Sequence, residues 1–323
     1  MESKRYFIRF SYDGTAYHGW QIQPNSVSVQ ETLQGALSTL LRREVEVVGA
    51  GRTDAGVHAR MMVAHFDWPS QQENSQLSAR LCRSACPRTP NSLTGSAASL
   101  VEVIGSASRL VRELSTPNSQ LSTPNSQLDC FQLVYKLNKL LPPDIAVQEV
   151  YPVAADLHAR FSATSRTYHY FIHLAKSPFL RPYSWYVYTT LDFSRMNEAA
   201  RLLLDYEDFT SFSKTHTDAK TNLCRVTHAV WEETEDGGWR FTITANRFLR
   251  NMVRAIVGTL VEVGRGRMTI DEFRQVIESR NRCVAGESVP GHALFLVDIQ
   301  YPPSHPCSPE HLPFSTTHTQ LPE

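Results

Sequence analysis

The chain has 323 residues, 41% of them hydrophobic, with 32 Lys plus Arg against 32 Asp plus Glu and a formal net charge of zero. No apolar run approaches the roughly 20 residues that a membrane-spanning helix needs, which excludes such helices. The balanced charge excludes a protein that coats nucleic acid by bulk charge, yet leaves room for a local basic cleft.

The first residues, Met-Glu-Ser-Lys-Arg, run straight into a strand pattern with no apolar stretch or small-residue cleavage site. No secretory signal is expected, and the cytoplasm is the expected compartment. The six cysteines, at 82, 86, 130, 224, 283 and 307, form no paired zinc pattern and read as free thiols, so neither metal nor redox chemistry is suggested.

From Arg5 to Tyr12 the alternation of Tyr6, Ile8, Phe10 and Tyr12 predicts a strand. Ser28 with Glu31 makes a capping box for a helix carrying Val29, Leu33, Ala36, Leu37, Leu40 and Leu41 at helical spacing. Val45 to Ala50 and Met61 to Phe66 read as strands, Phe131 to Leu141 as a helix, and Ile145 to Tyr151 as a closing strand after the Pro142-Pro143 stop. The result is a split β-α-β-β-α-β unit.

Residues 70–128 interrupt that unit with a polar stretch holding the tandem repeat Leu114 to Gln120 and Leu121 to Gln127. Such a segment cannot build a core and reads as a flexible insertion, with a short helix possible from Leu77 to Cys86. A second unit follows. It has a strand from Thr164 to Leu174, a helix from Ser194 to Leu204, and a hairpin from Arg225 to Glu235 and Trp239 to Asn246 around Gly237-Gly238. A helix from Phe248 to Val263, another from Thr269 to Ser279 and a strand from Ala293 to Tyr301 complete it. Residues 302–323 read as a disordered tail.

Between two of the predicted strands lies Gly51-Arg52-Thr53-Asp54-Ala55-Gly56-Val57-His58-Ala59-Arg60, a turn that presents one carboxylate among glycines and arginines. Glycine admits a planar ligand closely, and arginine supplies donors for phosphate. On the predicted helix after Asn246, Arg247, Arg250 and Arg254 share one face with Gly258 nearby, opposite an apolar stripe. Gly258 on that face would admit a phosphate backbone. Tyr168, two residues after Arg166, is a candidate platform for an unstacked base. His58 and His65 lack a third ligand at metal spacing, and His216 reads as a loop residue.

These segments resemble the TruA-type tRNA pseudouridine synthases. The resemblance rests on Tyr12-Asp13-Gly14-Thr15 with Gly19-Trp20-Gln21, on Gly51 to Ala59, on His158-Ala159-Arg160-Phe161-Ser162-Ala163, on Asp208-Phe209-Thr210-Ser211-Phe212, on Asn251-Met252-Val253-Arg254 with Ile256-Val257-Gly258, and on the Leu294 to Tyr301 strand. It implies an α+β fold of two ferredoxin-like halves, residues 1–160 and 161–301, joined through antiparallel sheets with a basic cleft between them. It further implies isomerisation of uridine to pseudouridine at positions 38–40 of the tRNA anticodon stem-loop, by a homodimer without a cofactor. By motif, Asp54 matches the catalytic aspartate, Tyr168 the base-stacking tyrosine, and Arg52 and Arg254 the active-site arginines. Tyr168 is also the candidate to take the C5 proton.

Arg60, Arg160, Arg166, Lys214, Arg247, Arg250, Arg254 and Gly258 are the expected RNA contacts. The chain departs from the family at Ser213-Lys214, where an arginine often follows the phenylalanine; Lys214 offers a point charge without bidentate geometry. Three routes for Asp54 stay open in the sequence: attack on ribose C1′, addition to uracil C6, or removal of the 2′ proton. The competing reading is a non-catalytic RNA-binding or RNA-chaperone protein of the same fold. An aspartic hydrolase is disfavoured because no second motif supplies a partner carboxylate.

Overall fold

The structure, a computed structural model, describes residues 3–69, 128–214 and 221–302. The predicted insertion up to residue 127, His216 and the tail from residue 303 onward lie outside the described residues. The described chain is α+β, with helices packed on one mixed sheet.

Its strands are β1 (Ser3–Tyr12), β2 (Val48–Gly49), β3 (His58–Pro69), β4 (Ile145–Val153), β5 (Ser165–His173), β6 (Trp185–Tyr186), β7 (Val226–Glu233), β8 (Trp239–Ala245) and β9 (Leu294–Gln300). The α-helices are α1 (Val29–Leu41), α2 (Cys130–Leu140), α3 (Phe193–Leu202), α4 (Met252–Gly264) and α5 (Ile270–Glu278). The strand order is β4-β1-β3-β9-β5-β8-β7, with β2 on β3 and β6 on β5. Strand β3 makes the central join. It pairs with β2 at His65 and Ala64, and in parallel with β9 at His58 and Ala59, facing Phe295 and Leu296.

Most elements start and stop where local chemistry directs. Ser28 caps α1 by accepting the Glu31 N–H at 3.2 Å, and Thr269 with Glu272 forms the full capping box of α5. On β1, Tyr6, Ile8 and Phe10 are fully buried with Val29, Leu33 and Leu37 of α1 in the same core. Phe7, on the opposite face, is equally buried, 5.4 Å from the Tyr301 ring and 6.1 Å from Tyr151. The alternation on β1 therefore marks one of two buried faces.

Two predicted elements come out shorter, each for a visible reason. The strand expected over Val45 to Ala50 is reduced to Val48–Gly49 with one further bond from the Ala50 N–H to the Val63 carbonyl at 2.8 Å, because side chains of α1 occupy the earlier backbone groups. Ser38 Oγ accepts the Val45 N–H at 3.1 Å, Gln34 Oε1 accepts the Val47 N–H at 3.2 Å, and Gln30 donates to the Val47 carbonyl at 2.8 Å. The helix expected from Phe248 begins only at Met252, since Asn251 adopts a left-handed φ of 67°. Arg247 and Arg250 thus sit in the loop before α4, and of the three arginines expected on one helical face only Arg254 is helical.

Gly258 also departs from expectation. It is buried in α4, and a Cβ there would overlap the Glu287 carbonyl oxygen, so the residue admits a crossing backbone rather than a phosphate. Although alanine is the better helix former by about 1 kcal/mol, Gly258→Ala is expected to cost a net of about 1–3 kcal/mol through overpacking. A urea melt checks this; unchanged stability would contradict the packing role.

Candidate active site

The Asp54 turn is held from behind by the loop after β1. Trp20 N–H donates to the Thr53 carbonyl at 3.2 Å, Gly56 N–H donates to the Tyr17 carbonyl at 3.2 Å, and the buried Tyr12 hydroxyl meets Thr53 Oγ1 at 2.8 Å. Gly19, at φ 97°, lies directly against the Thr53 carbonyl, where no side chain fits. The N-terminal segment quoted for its resemblance is therefore the bed on which the turn rests.

His58, just past the turn, ties it to the far end of the chain. Gly14 N–H donates to His58 Nδ1 at 3.0 Å, and His58 Nε2–H donates to the His292 carbonyl at 2.9 Å. Asp13 Oδ1 also lies 3.0 Å from Nδ1. Burial nevertheless pulls the imidazole below its ordinary pKa, which favours the neutral tautomer that both backbone bonds require. His65, pushed down to about 4 chiefly by burial, accepts the Ala159 N–H at 3.2 Å. Both histidines join backbone segments.

In front of the turn lies a cleft of about 690 Å³, within the range of ligand pockets. Arg52, Arg160, Arg166, Arg247, Arg250 and Arg254 line it, and Asp54 is the one carboxylate in its lining. Arg254 Nη1 lies 3.2 Å from Asp54 Oδ2, and Arg250 Nε lies 3.9 Å from Oδ1. Arg254 is itself aimed by a 2.7 Å bond from Nε to the Val289 carbonyl. The Asp54 side chain is 23% exposed, so it faces both an anchored guanidinium and the open cleft.

Tyr168 forms a wall of the cleft, its ring edge-on to Phe248 at 5.1 Å. Burial pushes its hydroxyl up to about 12, with nearby Asp54 adding to the rise and Arg166 opposing it. Arg160 is drawn below its usual pKa by burial and then by the charges of Arg52 and Arg247. The arginines are close enough to repel one another, and an anion would relieve that repulsion.

The structure brings together Asp54, Arg52, Tyr168, Arg160, Arg247, Arg250 and Arg254, while other expected contacts have different partners. Both Nη groups of Arg166 are taken up by backbone: Nη1 donates to the carbonyls of Ala163 at 3.1 Å and Asn246 at 2.7 Å, and Nη2 to those of Ala50 at 3.2 Å and Arg160 at 2.5 Å. It is a clamp joining three cleft-lining segments. Arg60 is outside the cleft lining, its guanidinium 5.4 Å from the Phe295 ring and 5.7 Å from Phe171. Lys214 contributes a backbone bond to the Arg250 carbonyl at 3.1 Å, with its side chain outside the cleft lining. Sequence reasoning missed Phe248 and Leu296 as cleft walls and His292 as an anchor; burial at aliphatic or aromatic positions carries no separate functional signal.

One carboxylate among arginines, beside a buried aromatic wall, makes a cleft whose charge suits an anionic ligand. Comparison with known proteins supplies the family. A family model described as tRNA pseudouridine synthase matches residues 8–104 and 199–302, and the chain belongs to that family. It is 52% identical over 301 residues to tRNA pseudouridine synthase A of Bacteroides thetaiotaomicron, covering 93% of this chain and 91% of that one. It is 49% identical over 302 residues to the protein of the same name in Bacteroides fragilis, covering 94% and 98%. The Bacillus subtilis protein of that name is 34% identical over 295 residues, covering 90% of this chain and 96% of its own.

The clamp can be tested apart from catalysis. Arg166→Met keeps the length but leaves four carbonyls without their donor, so a loss of roughly 1–3 kcal/mol is expected in a denaturant melt. Retained stability would mean that these carbonyls find other donors.

Proposed function

We propose that this protein isomerises uridine to pseudouridine at positions 38–40 of the tRNA anticodon stem-loop, with Asp54 as the nucleophile. The observation that carries the reading is Asp54, anchored by Arg254 at 3.2 Å within an arginine-lined cleft. With Oδ2 held by Arg254, Oδ1 is the oxygen presented to the substrate. On the route through C1′, Oδ1 bonds to C1′ as the N1 glycosidic bond breaks, uracil turns, C5 bonds to C1′ and displaces Oδ1, and the C5 proton leaves while N1 takes up a proton, which restores the carboxylate. No cofactor enters this sequence.

The target base must first leave its stack, at a cost of a few kcal/mol that contacts from Arg52 and its neighbours to phosphate offset. Tyr168 then covers the extruded uracil. Because its hydroxyl is raised to about 12, a phenolate at pH 7 is uphill by 5 units, or about 7 kcal/mol. That fits within the roughly 17 kcal/mol barrier of a turnover near one per second, so Tyr168 is a feasible acceptor for the C5 proton.

The same reading treats residues 1–160 and 161–301 as two ferredoxin-like halves. The repeated strand order supports it: β4-β1-β3-β2 in the first part is matched by β9-β5-β8-β7 in the second. The cleft then falls beside the short β3–β9 join. A homodimer acting in the cytoplasm completes the proposal, and sedimentation of the pure protein at twice the chain mass of 36.5 kDa in an ultracentrifuge would support the dimer. The non-catalytic RNA-binding alternative is disfavoured by the intact Asp54, Arg52 and Tyr168.

The direct test is tritium release from anticodon-arm RNA labelled at uracil C5. Wild type is expected to release tritium, and Asp54→Asn to release none while still binding the RNA. No release by folded, RNA-binding wild type on several tRNAs would overturn the enzyme reading. Tyr168→Phe separates two roles: it keeps the ring, so RNA affinity is expected within about twofold, while tritium release slows at least 100-fold. Release at the wild-type rate would remove the tyrosine from proton transfer.

A further inference from the structure

Phe161 is unusual among the described aromatic residues: it is 76% exposed, yet it lines the same cleft as Asp54. Phe131, Phe179 and Tyr188 are exposed as well, and what sets Phe161 apart is its place in the lining of an arginine-rich cleft, where a ring face is open to an unstacked base. Its position is fixed rather than loose. His158 Nδ1 accepts the N–H of Arg160 at 3.1 Å and of Phe161 at 3.3 Å, and Ser162 N–H returns to the His158 carbonyl at 2.9 Å. The His158 ring backs the Phe161 ring at 4.4 Å, while Arg160 stands 5.6 Å from that ring's centre.

A rigid aromatic face beside a guanidinium, with the cationic groups of Arg52 and Arg247 close to Arg160, offers stacking and phosphate contacts together. Tyr168 already forms a separate buried wall, and the cleft is larger than one uracil fills. We propose that Phe161, braced by His158 and flanked by Arg160, is a second base platform that stacks an unpaired base neighbouring the target uridine. This rests on the reading of the protein as a tRNA-modifying enzyme. The positive charge around the ring selects RNA, a polyanion, as the occupant over a second copy of this chain, whose formal net charge is zero.

The test compares wild type with Phe161→Ala, Phe161→Leu and Phe161→Trp on C5-tritiated anticodon-arm RNA. Loss of one base–aromatic stack is expected to raise KM about 5- to 100-fold in Phe161→Ala and Phe161→Leu. The expected kcat stays within about threefold, Phe161→Trp restores KM, and thermal melting is unchanged. An RNA lacking the neighbouring base should abolish the difference between wild type and Phe161→Ala. Unchanged KM in Phe161→Ala, a defect that Trp fails to restore, or a shift in the monomer–dimer equilibrium without one in RNA binding would overturn the platform. Failure of the enzyme reading is separate, since wild type itself would then release no tritium.

Discussion

The structure depends on one constraint: a single carboxylate must sit opposite a guanidinium 200 residues away in the chain. Neither partner can be placed by its own segment. Asp54 is carried on a turn bedded against the loop after β1, while Arg254 projects from α4 and is aimed by the Val289 carbonyl. The short β3–β9 pairing, with the neutral His58 bridging Gly14 and His292, brings the two supports together. Arg166 closes the assembly by joining Ala50, just ahead of the turn, to the segments at Arg160, Ala163 and Asn246.

This arrangement divides the arginines into two kinds. Arg166 spends its donors on carbonyls and acts through backbone position, whereas Arg52, Arg160, Arg247 and Arg250 line the cleft where phosphate would lie. Six arginines against one carboxylate is a poor local balance for stability and a good one for capturing a polyanion. The overall charge of zero conceals it, because clustering rather than composition makes the cleft.

Much of this was legible in sequence, since alternation, caps and glycine turns are local. The Ser28 and Thr269 caps, the Gly237-Gly238 hairpin and the aspartate turn all follow from residues within a few positions of one another. What escaped was decided across the fold. Nothing near Gly258 announces that the Glu287 backbone crosses it, and nothing near Val45 or Val47 shows that α1 side chains take their hydrogen bonds. The apolar run through Phe248 and Leu249 imitates a helix because both are cleft walls, and the left-handed Asn251 marks the true start of α4. At Arg60 and Arg166 a basic side chain gives no hint that an aromatic face or backbone carbonyls already hold the guanidinium.

The pairing of Asp54 with Arg254 is the centre of the account, and Arg254→Gln addresses it with little disturbance of shape. The decisive measurement is the single-turnover rate of pseudouridine formation by this variant at saturating anticodon-arm RNA, with RNA affinity and melting temperature measured on the same protein. The account predicts a rate at least 100-fold below wild type, with affinity lowered less than tenfold and melting close to wild type. A wild-type rate at saturation would show that Asp54 reaches its reactive position without Arg254, and would contradict the account.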